Sequence, residues 1–243
     1  MRKISKDNPL PLHYQIKEIL QEMIENEELK PDDAIYTERE LCEIQGVSRM
    51  TVNKAIMSLV NEGILYRQQG KGTFVARPKI NQQLSKLKGF TEEMQEKGLK
   101  SNTRVLNFQV KKATKQNKTI LELPDSEDMV IEINRLRMSS GEPVSIETVW
   151  IPYYMFRDMT LEMINGQSLY QVFRVKYKCF PSKAKQTIEP TKVNDYEADL
   201  LGLKNESLAL LFRRTTFDEK QRPIEYTKSI YRSDNYRYEV TLT

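Results

Sequence analysis

Histidine, cysteine and long apolar runs are scarce in this sequence, and each shortage excludes something. The 243 residues include one histidine and two cysteines. Cys42 and Cys179 lie far apart with no Cys/His cluster around either, so a disulfide framework or a zinc site is not expected, and the thiols read as reduced. His13 falls in the first helical stretch, far from Cys179. No nucleophile is accompanied by a base, which argues against a covalent catalyst. No segment approaches the roughly 18 apolar residues that span a bilayer. The N-terminus, Met1-Arg-Lys-Ile-Ser-Lys6, lacks the apolar run of a secretory signal. The expected address is therefore the cytoplasm, with no membrane partner, no metal and no cofactor.

What is present suffices for a packed core: 39% hydrophobic and 30% charged residues, in a chain long enough for two domains. The formal charge of +4 says little, but its distribution says more. Residues 7–43 carry three basic side chains against eleven acidic ones, whereas residues 44–80 carry six basic (Arg49, Lys54, Arg67, Lys71, Arg77, Lys79) against Glu62 alone. A polyanion is drawn to the second stretch and repelled by the first.

Within this region the local signals follow one another closely. Leu12, Ile16, Ile19, Leu20, Met23 and Ile24 keep helical spacing and predict a helix over about 11–26. Thr37-Glu-Arg-Glu40 is a capping box, opening a short helix that buries Leu41 and Ile44 and stops at Gly46. Ser48 caps a third helix with an apolar stripe of Val52, Ala55, Ile56, Leu59 and Val60, closed by Gly63. Two short helices around a glycine turn make a helix-turn-helix. The stripe leaves Arg49, Thr51, Asn53 and Lys54 off the core face at the end that enters the major groove. Arg49 suits a guanine and Asn53 an adenine, while Ser48 and Thr51 suit phosphate oxygens. Strands 64–67 and 73–76 flank Gln68-Gln-Gly-Lys-Gly72 and predict a wing with Lys71 at its tip between Gly70 and Gly72. A phosphate-cradling nucleotide loop fails on context, because such a loop leads into a helix and this one leads into a strand.

Thr37-Glu-Arg-Glu-Leu41, Gly46-Val-Ser-Arg-Met-Thr-Val52, Leu59-Val-Asn-Glu-Gly-Ile-Leu65 and Gly70-Lys-Gly-Thr-Phe-Val75 occur in order. On these motifs residues 9–76 resemble the DNA-binding domain of the GntR family. The resemblance implies contacts to a double-stranded operator from Arg39, Arg49, position 53 and the Gly70–Gly72 wing tip. It departs at position 53, where the family usually has arginine and this chain has Asn53 followed by Lys54.

A polar, basic stretch, 77–90, is expected to be a linker between domain 1–76 and domain 91–243. Beyond it, strands are expected at 104–112, 129–138, 143–151, 182–189, 208–217, 223–232 and 236–242, with helices at 91–97, 115–121, 168–176 and 194–201. Two hairpins with similar turns suggest a weak internal duplication. The class is α+β, with an antiparallel sheet in the second domain. Arg135 and Arg137 share a strand face with Ile131 and Ile133, and Glu147 falls roughly opposite Arg135. The residues alone leave two readings open, an exposed cross-strand salt bridge or a polar pocket for a phosphate or carboxylate. The methionines and leucines of 155–164 read as core.

Gly89-Phe-Thr-Glu92, Ile133-Asn-Arg-Leu-Arg137, Gln167-Ser-Leu-Tyr170, Ala184-Lys-Gln-Thr-Ile-Glu-Pro190 and Glu225-Tyr-Thr-Lys-Ser-Ile-Tyr-Arg232 carry a second resemblance. Residues 85–243 are similar to the UTRA effector domain of the family's HutC branch, whose fold is chorismate-lyase-like. Within that branch the sequence looks most like repressors of amino-sugar use. That implies a homodimer on a palindromic operator and a phosphorylated sugar as effector, such as glucosamine-6-phosphate or N-acetylglucosamine-6-phosphate. Thr91, Arg135, Arg137, Ser168 and Tyr170 would surround the phosphate; Phe90, Glu147, Glu225 and Tyr231 would face the sugar. The alternative is a chorismate-lyase-like enzyme with an appended DNA-binding module, against which stands the lack of a catalytic constellation.

Overall fold

Helix α1 (Leu12–Glu25) forms where the apolar spacing predicts it. Helix α2 (Glu38–Gln45) opens on the Thr37 capping box. Glu40 N donates to Thr37 Oγ1 at 3.3 Å and Thr37 N to Glu40 Oε2 at 2.7 Å, so two otherwise orphaned donors are satisfied. Gly46, at φ 65°, supplies the left-handed residue that ends α2. Helix α3 (Arg49–Asn61) is capped by Ser48. A computed structural model of the chain describes residues 1–77, 79–83, 86–234 and 236–241, and divides it into two compact units, Met1–Lys79 and Ile80–Thr243.

The first unit packs α1 against α3 around Ile16, Leu20, Leu41, Val52, Ile56 and Leu59, all at most 1% exposed. Each such side chain contributes about 1.5–3 kcal/mol by leaving water. Ile44 is only half-buried. Gln45 takes the inner position instead, because its amide ties down the N-terminal segment: Ile4 N donates to its Oε1 and its Nε2 donates to Arg2 O, both at 2.9 Å. Strands β1 (Leu65–Gln68) and β2 (Gly72–Val75) pair antiparallel as the wing. Residues 32–35 brace β2 from its other side, with Ile35 N bonding Thr73 O and Val75 N bonding Asp33 O.

The stretch expected to be a linker is not one throughout. Strand β3 (Ile80–Gln83) lies in it and pairs in parallel with β10 (Tyr236–Glu239). Of that expected stretch, Pro78, Leu84 and Ser85 lie outside the described residues, as do Leu242 and Thr243 of the expected last strand and domain. Helix α4 (Phe90–Glu96) follows. Then comes β4 (Ser101–Lys112), α5 (Lys115–Ile120), β5 (Met129–Ser139) and β6 (Glu142–Pro152). A 3₁₀ turn at Tyr153–Met155 and α6 (Leu161–Ile164), neither expected, lead to α7 (Leu169–Lys176). The chain ends through β7 (Pro181–Lys192), α8 (Asp195–Leu201), β8 (Leu208–Asp218), β9 (Pro223–Arg232) and β10. Met159 is buried, but Leu161 at the start of α6 is 41% exposed, against the expectation that it is core.

The large sheet runs β4-β5-β6-β9-β8-β7, antiparallel throughout. Its two halves repeat a strand–helix–hairpin unit, one strand longer than the duplication legible in sequence. Register places Ile131, Ile133, Val149 and Ile151 on one face, where Phe156, Leu169 and Phe173 cover them. The same face continues toward the hairpin turn as Arg135, Arg137, Glu147 and Ser145.

Candidate functional site

Each unit presents a site. In the first, Arg49 stands on the first turn of α3 with its side chain 82% exposed. Its Nε donates to Glu38 Oε2 at 2.9 Å, and Asn53 Nδ2 donates to Glu38 Oε1 at 2.8 Å. Thr51 and Ser48 share a hydroxyl bond of 2.9 Å, and Lys54 is exposed. Arg39 is exposed and pairs with Glu43 one turn along α2. Lys71 is exposed between Gly70 and Gly72, whose φ angles of 74° and 128° favour glycine. Sequence reasoning missed three residues of this face. Glu38 holds Arg49 and Asn53. Arg67 of β1 reaches Glu38 with Nη2 at 2.8 Å. Met50 is 80% exposed beside Arg49. Arg67 had a signal in the basic count of residues 44–80, and Met50 as an apolar residue off the core stripe.

In the second unit, all nine expected effector residues line one cavity of about 660 Å³: Phe90, Thr91, Arg135, Arg137, Glu147, Ser168, Tyr170, Glu225 and Tyr231. Two bulges place its carboxylates. In the β5–β6 hairpin the register shifts between Arg137 and Met138, so that Arg135 pairs with Glu147. Without that extra residue Arg135 would face Ile146, and Glu147 would point to the opposite side of the sheet. In the β8–β9 hairpin the shift between Thr216 and Phe217 likewise pairs Thr216 with Glu225. Both bulges follow a proline after the turn, Pro143 and Pro223.

The salt bridge is buried, so it is not the exposed cross-strand bridge of the first reading. Arg135 is 1% exposed and Arg137 5%. Arg135 Nη2 donates to Glu147 Oε1 at 2.6 Å, and Arg137 Nε to Glu147 Oε2 at 2.7 Å. Arg137 is held further by Thr103 Oγ1 at 2.8 Å and by the Phe90 ring, 5.2 Å from its guanidinium carbon. Arg135 Nε and Nη1 are buried with no hydrogen-bond partner among the described residues. The N-terminus of α7, capped by Ser168, lines the same cavity, and a helix N-terminus favours negative charge. Across the cavity Glu225 Oε2 accepts from Thr216 Oγ1 at 2.9 Å and from Tyr170 OH at 3.1 Å. Tyr231 joins Phe212, Tyr236 and Tyr238 in an aromatic cluster. Thr216 and Arg214 were missed by the sequence reading. Arg214 Nε donates to Gln186 Oε1 at 2.7 Å, a pairing that no local pattern signals.

Burial alone would raise the Glu147 pKa, but Arg135 and Arg137 overcome it and hold the carboxyl at about 2. Burial and the charge of Glu147 push Glu225 the other way. A depressed acid contributes its stabilisation fully above the ordinary carboxyl value of 4.5 and loses it as pH falls toward 2. Glu225 has the opposite sign, stabilising at low pH and losing that contribution as pH rises through its elevated pKa. Thermal unfolding from pH 6 to about pH 2.5 should therefore show a steep loss of stability that is shallower in Glu147→Gln. Equal slopes for the two proteins would contradict the burial of a charged Glu147.

The comparisons with known proteins agree with this geometry. The family model for bacterial regulatory proteins of the gntR family matches residues 12–75, and that for the UTRA domain matches residues 96–237. The HTH-type transcriptional repressor NagR of Bacillus subtilis is 38% identical over 238 residues, covering 97% of this chain and 96% of the relative. The mannosyl-D-glycerate transport/metabolism system repressor MngR of Escherichia coli is 29% identical, with 94% of each chain covered. Among solved structures, PhnF from Mycobacterium smegmatis superposes with a TM-score of 0.64 at 25% identity, over 94% of this chain and 99% of that one. NagR and MngR are named as repressors, and the enzyme alternative finds no counterpart in either. The chain belongs to the GntR family of bacterial regulatory proteins, and is a DNA-binding transcription regulator whose second unit is a UTRA domain.

Proposed function

We propose that this regulator is a cytoplasmic, homodimeric repressor that releases a palindromic operator when a phosphorylated amino sugar fills the cavity of its second unit. The observation that carries the reading is Arg135, a buried guanidinium that lines the cavity and whose Nε and Nη1 have no hydrogen-bond partner among the described residues. A buried cation with free donors is costly, and a phosphate in the cavity would supply a charged acceptor to them. In this reading Thr91, Arg135, Arg137, Ser168 and Tyr170 take the phosphate, while Phe90, Glu225 and Tyr231 face the sugar. Glu147 fixes both arginines and offers any remaining lone pair to a sugar hydroxyl. In the first unit, Arg39, Ser48, Arg49, Thr51, Asn53, Lys54 and the Gly70–Lys71–Gly72 tip contact the operator, with base reading from Arg49 and Asn53 and phosphate contacts from the others. The resemblance of the whole chain to repressors, NagR and MngR among them, supports the sign of regulation.

The test is thermal unfolding against sugar phosphates, amino-sugar phosphates and their unphosphorylated parents. A ligand at a hundred times its dissociation constant adds about 2.7 kcal/mol, or roughly 5–11 °C for a domain of this size. The shift should come with a phosphorylated amino sugar, be absent with its parent, and vanish in Arg135→Ala. A parent sugar that stabilises as well as its phosphate would refute the phosphate clamp.

A further inference from the structure

Glu38 is the first residue of α2, yet its carboxylate serves α3 and the wing rather than its own helix. One oxygen accepts from Arg49 Nε at 2.9 Å. The other accepts from both Asn53 Nδ2 and Arg67 Nη2 at 2.8 Å. The Glu38 side chain is 20% exposed where that of Arg49 is 82% exposed, so the carboxylate sits beneath the donors it gathers. The hydrogen bond to Arg49, then that to Asn53, keeps it ionised by lowering its pKa.

We infer that Glu38 is a positioning residue that sets the base preference of this regulator. An asparagine amide can point either way, and only one orientation suits a given base edge. Glu38 accepts from the nitrogen end of Asn53, which fixes that choice. The second Nδ2 hydrogen, the one on the same side as Oδ1, is then left with Oδ1 for the paired acceptor and donor of an adenine edge, N7 and N6. In the same way Arg49, held at Nε, keeps its terminal pair of nitrogens for guanine O6 and N7. Arg67 joins the first strand of the wing to the same carboxylate, so the reading helix and the wing share one anchor. At position 53 this chain carries asparagine, and Glu38 is what gives that shorter side chain a defined orientation.

The inference rests on DNA binding by the first unit, and the experiment separates the two. Full-length wild-type protein and the Glu38→Gln and Glu38→Asp variants each enrich a randomised duplex library, and base preference is compared position by position. Wild-type protein should select one G·C and one A·T pair in each half-site with about tenfold or greater discrimination, as bidentate contacts give. Both variants should lose most of that discrimination at those two positions and keep it elsewhere. Glu38→Gln should bind scrambled duplex at least as tightly as wild type, because a negative charge has gone. Wild-type preference retained at both positions in both variants would overturn the inference. So would a loss spread evenly over all positions with a lowered melting temperature, since that marks a role in folding alone. A wild-type library without any preference would instead bring down sequence-specific binding itself, and Glu38 with it.

Discussion

Glu147→Ala is expected to lower the melting temperature of the UTRA unit by about 6–20 °C, from a loss on the order of 3–5 kcal/mol. The size follows from what the substitution leaves behind. Among the described residues Glu147 is the only side chain that accepts from Arg135 and the main one that accepts from Arg137. Its removal leaves two guanidiniums side by side, 1% and 5% exposed, with no compensating charge in contact. Burial, and then the charge of Arg137, already lower the pKa of Arg135. Breaking such a buried pair costs far more than an exposed bridge is worth, which is about 1 kcal/mol or less. Glu147→Gln keeps the shape and one acceptor oxygen, so its loss should be smaller. Differential scanning calorimetry of the full chain measures both. A fall of under about 1 kcal/mol in Glu147→Ala would mean that the pair is solvated, and the clamp built on it would fail.

The second large effect is on DNA. In the proposed mechanism the dimer exchanges between an operator-competent and an incompetent geometry, and the effector favours the second. An effector shifts that balance only by its differential affinity for the two states. Coupling between sites is typically 5–150-fold, so saturating effector should weaken operator binding by about 10–100-fold. By linkage the operator weakens effector binding by the same factor, which offers an independent check. Arg135→Ala should abolish both halves of the coupling while leaving DNA affinity without effector near wild type, since the substitution lies in the second unit.

How much of this was legible in the sequence depended on how local the cause was. The helix-turn-helix was legible to within a residue or two because Thr37, Gly46, Ser48 and Gly63 act within one turn of the boundary they set. That the residues expected to bind effector share one cavity was legible through period-two alternation, for Arg135 and Arg137, and through the family resemblance. The burial of Arg135 was not, since alternation fixes a face and says nothing of what covers it. The register that brings Glu147 to Arg135 depends on a bulge after Pro143, which a two-residue turn at Ser140-Gly141 does not announce. Strand β3 escaped because Ile80-Asn-Gln-Gln83 has no apolar alternation and pairs with β10, more than 150 residues away. Glu38 escaped for a related reason: its three donors come from α3 and β1, and only the folded unit brings them together.

The most direct test of the account is fluorescence anisotropy of a duplex carrying the selected palindrome, titrated with full-length protein with and without effector. The effectors are glucosamine-6-phosphate, N-acetylglucosamine-6-phosphate and the two unphosphorylated sugars, at one fixed salt concentration because phosphate contacts make affinity salt-dependent. The account predicts that one phosphorylated sugar raises the dissociation constant by at least about tenfold, that its parent does not, and that Arg135→Ala binds the duplex but ignores the ligand. Unchanged DNA affinity with every phosphorylated sugar, in a protein those same compounds stabilise thermally, would contradict effector-controlled release.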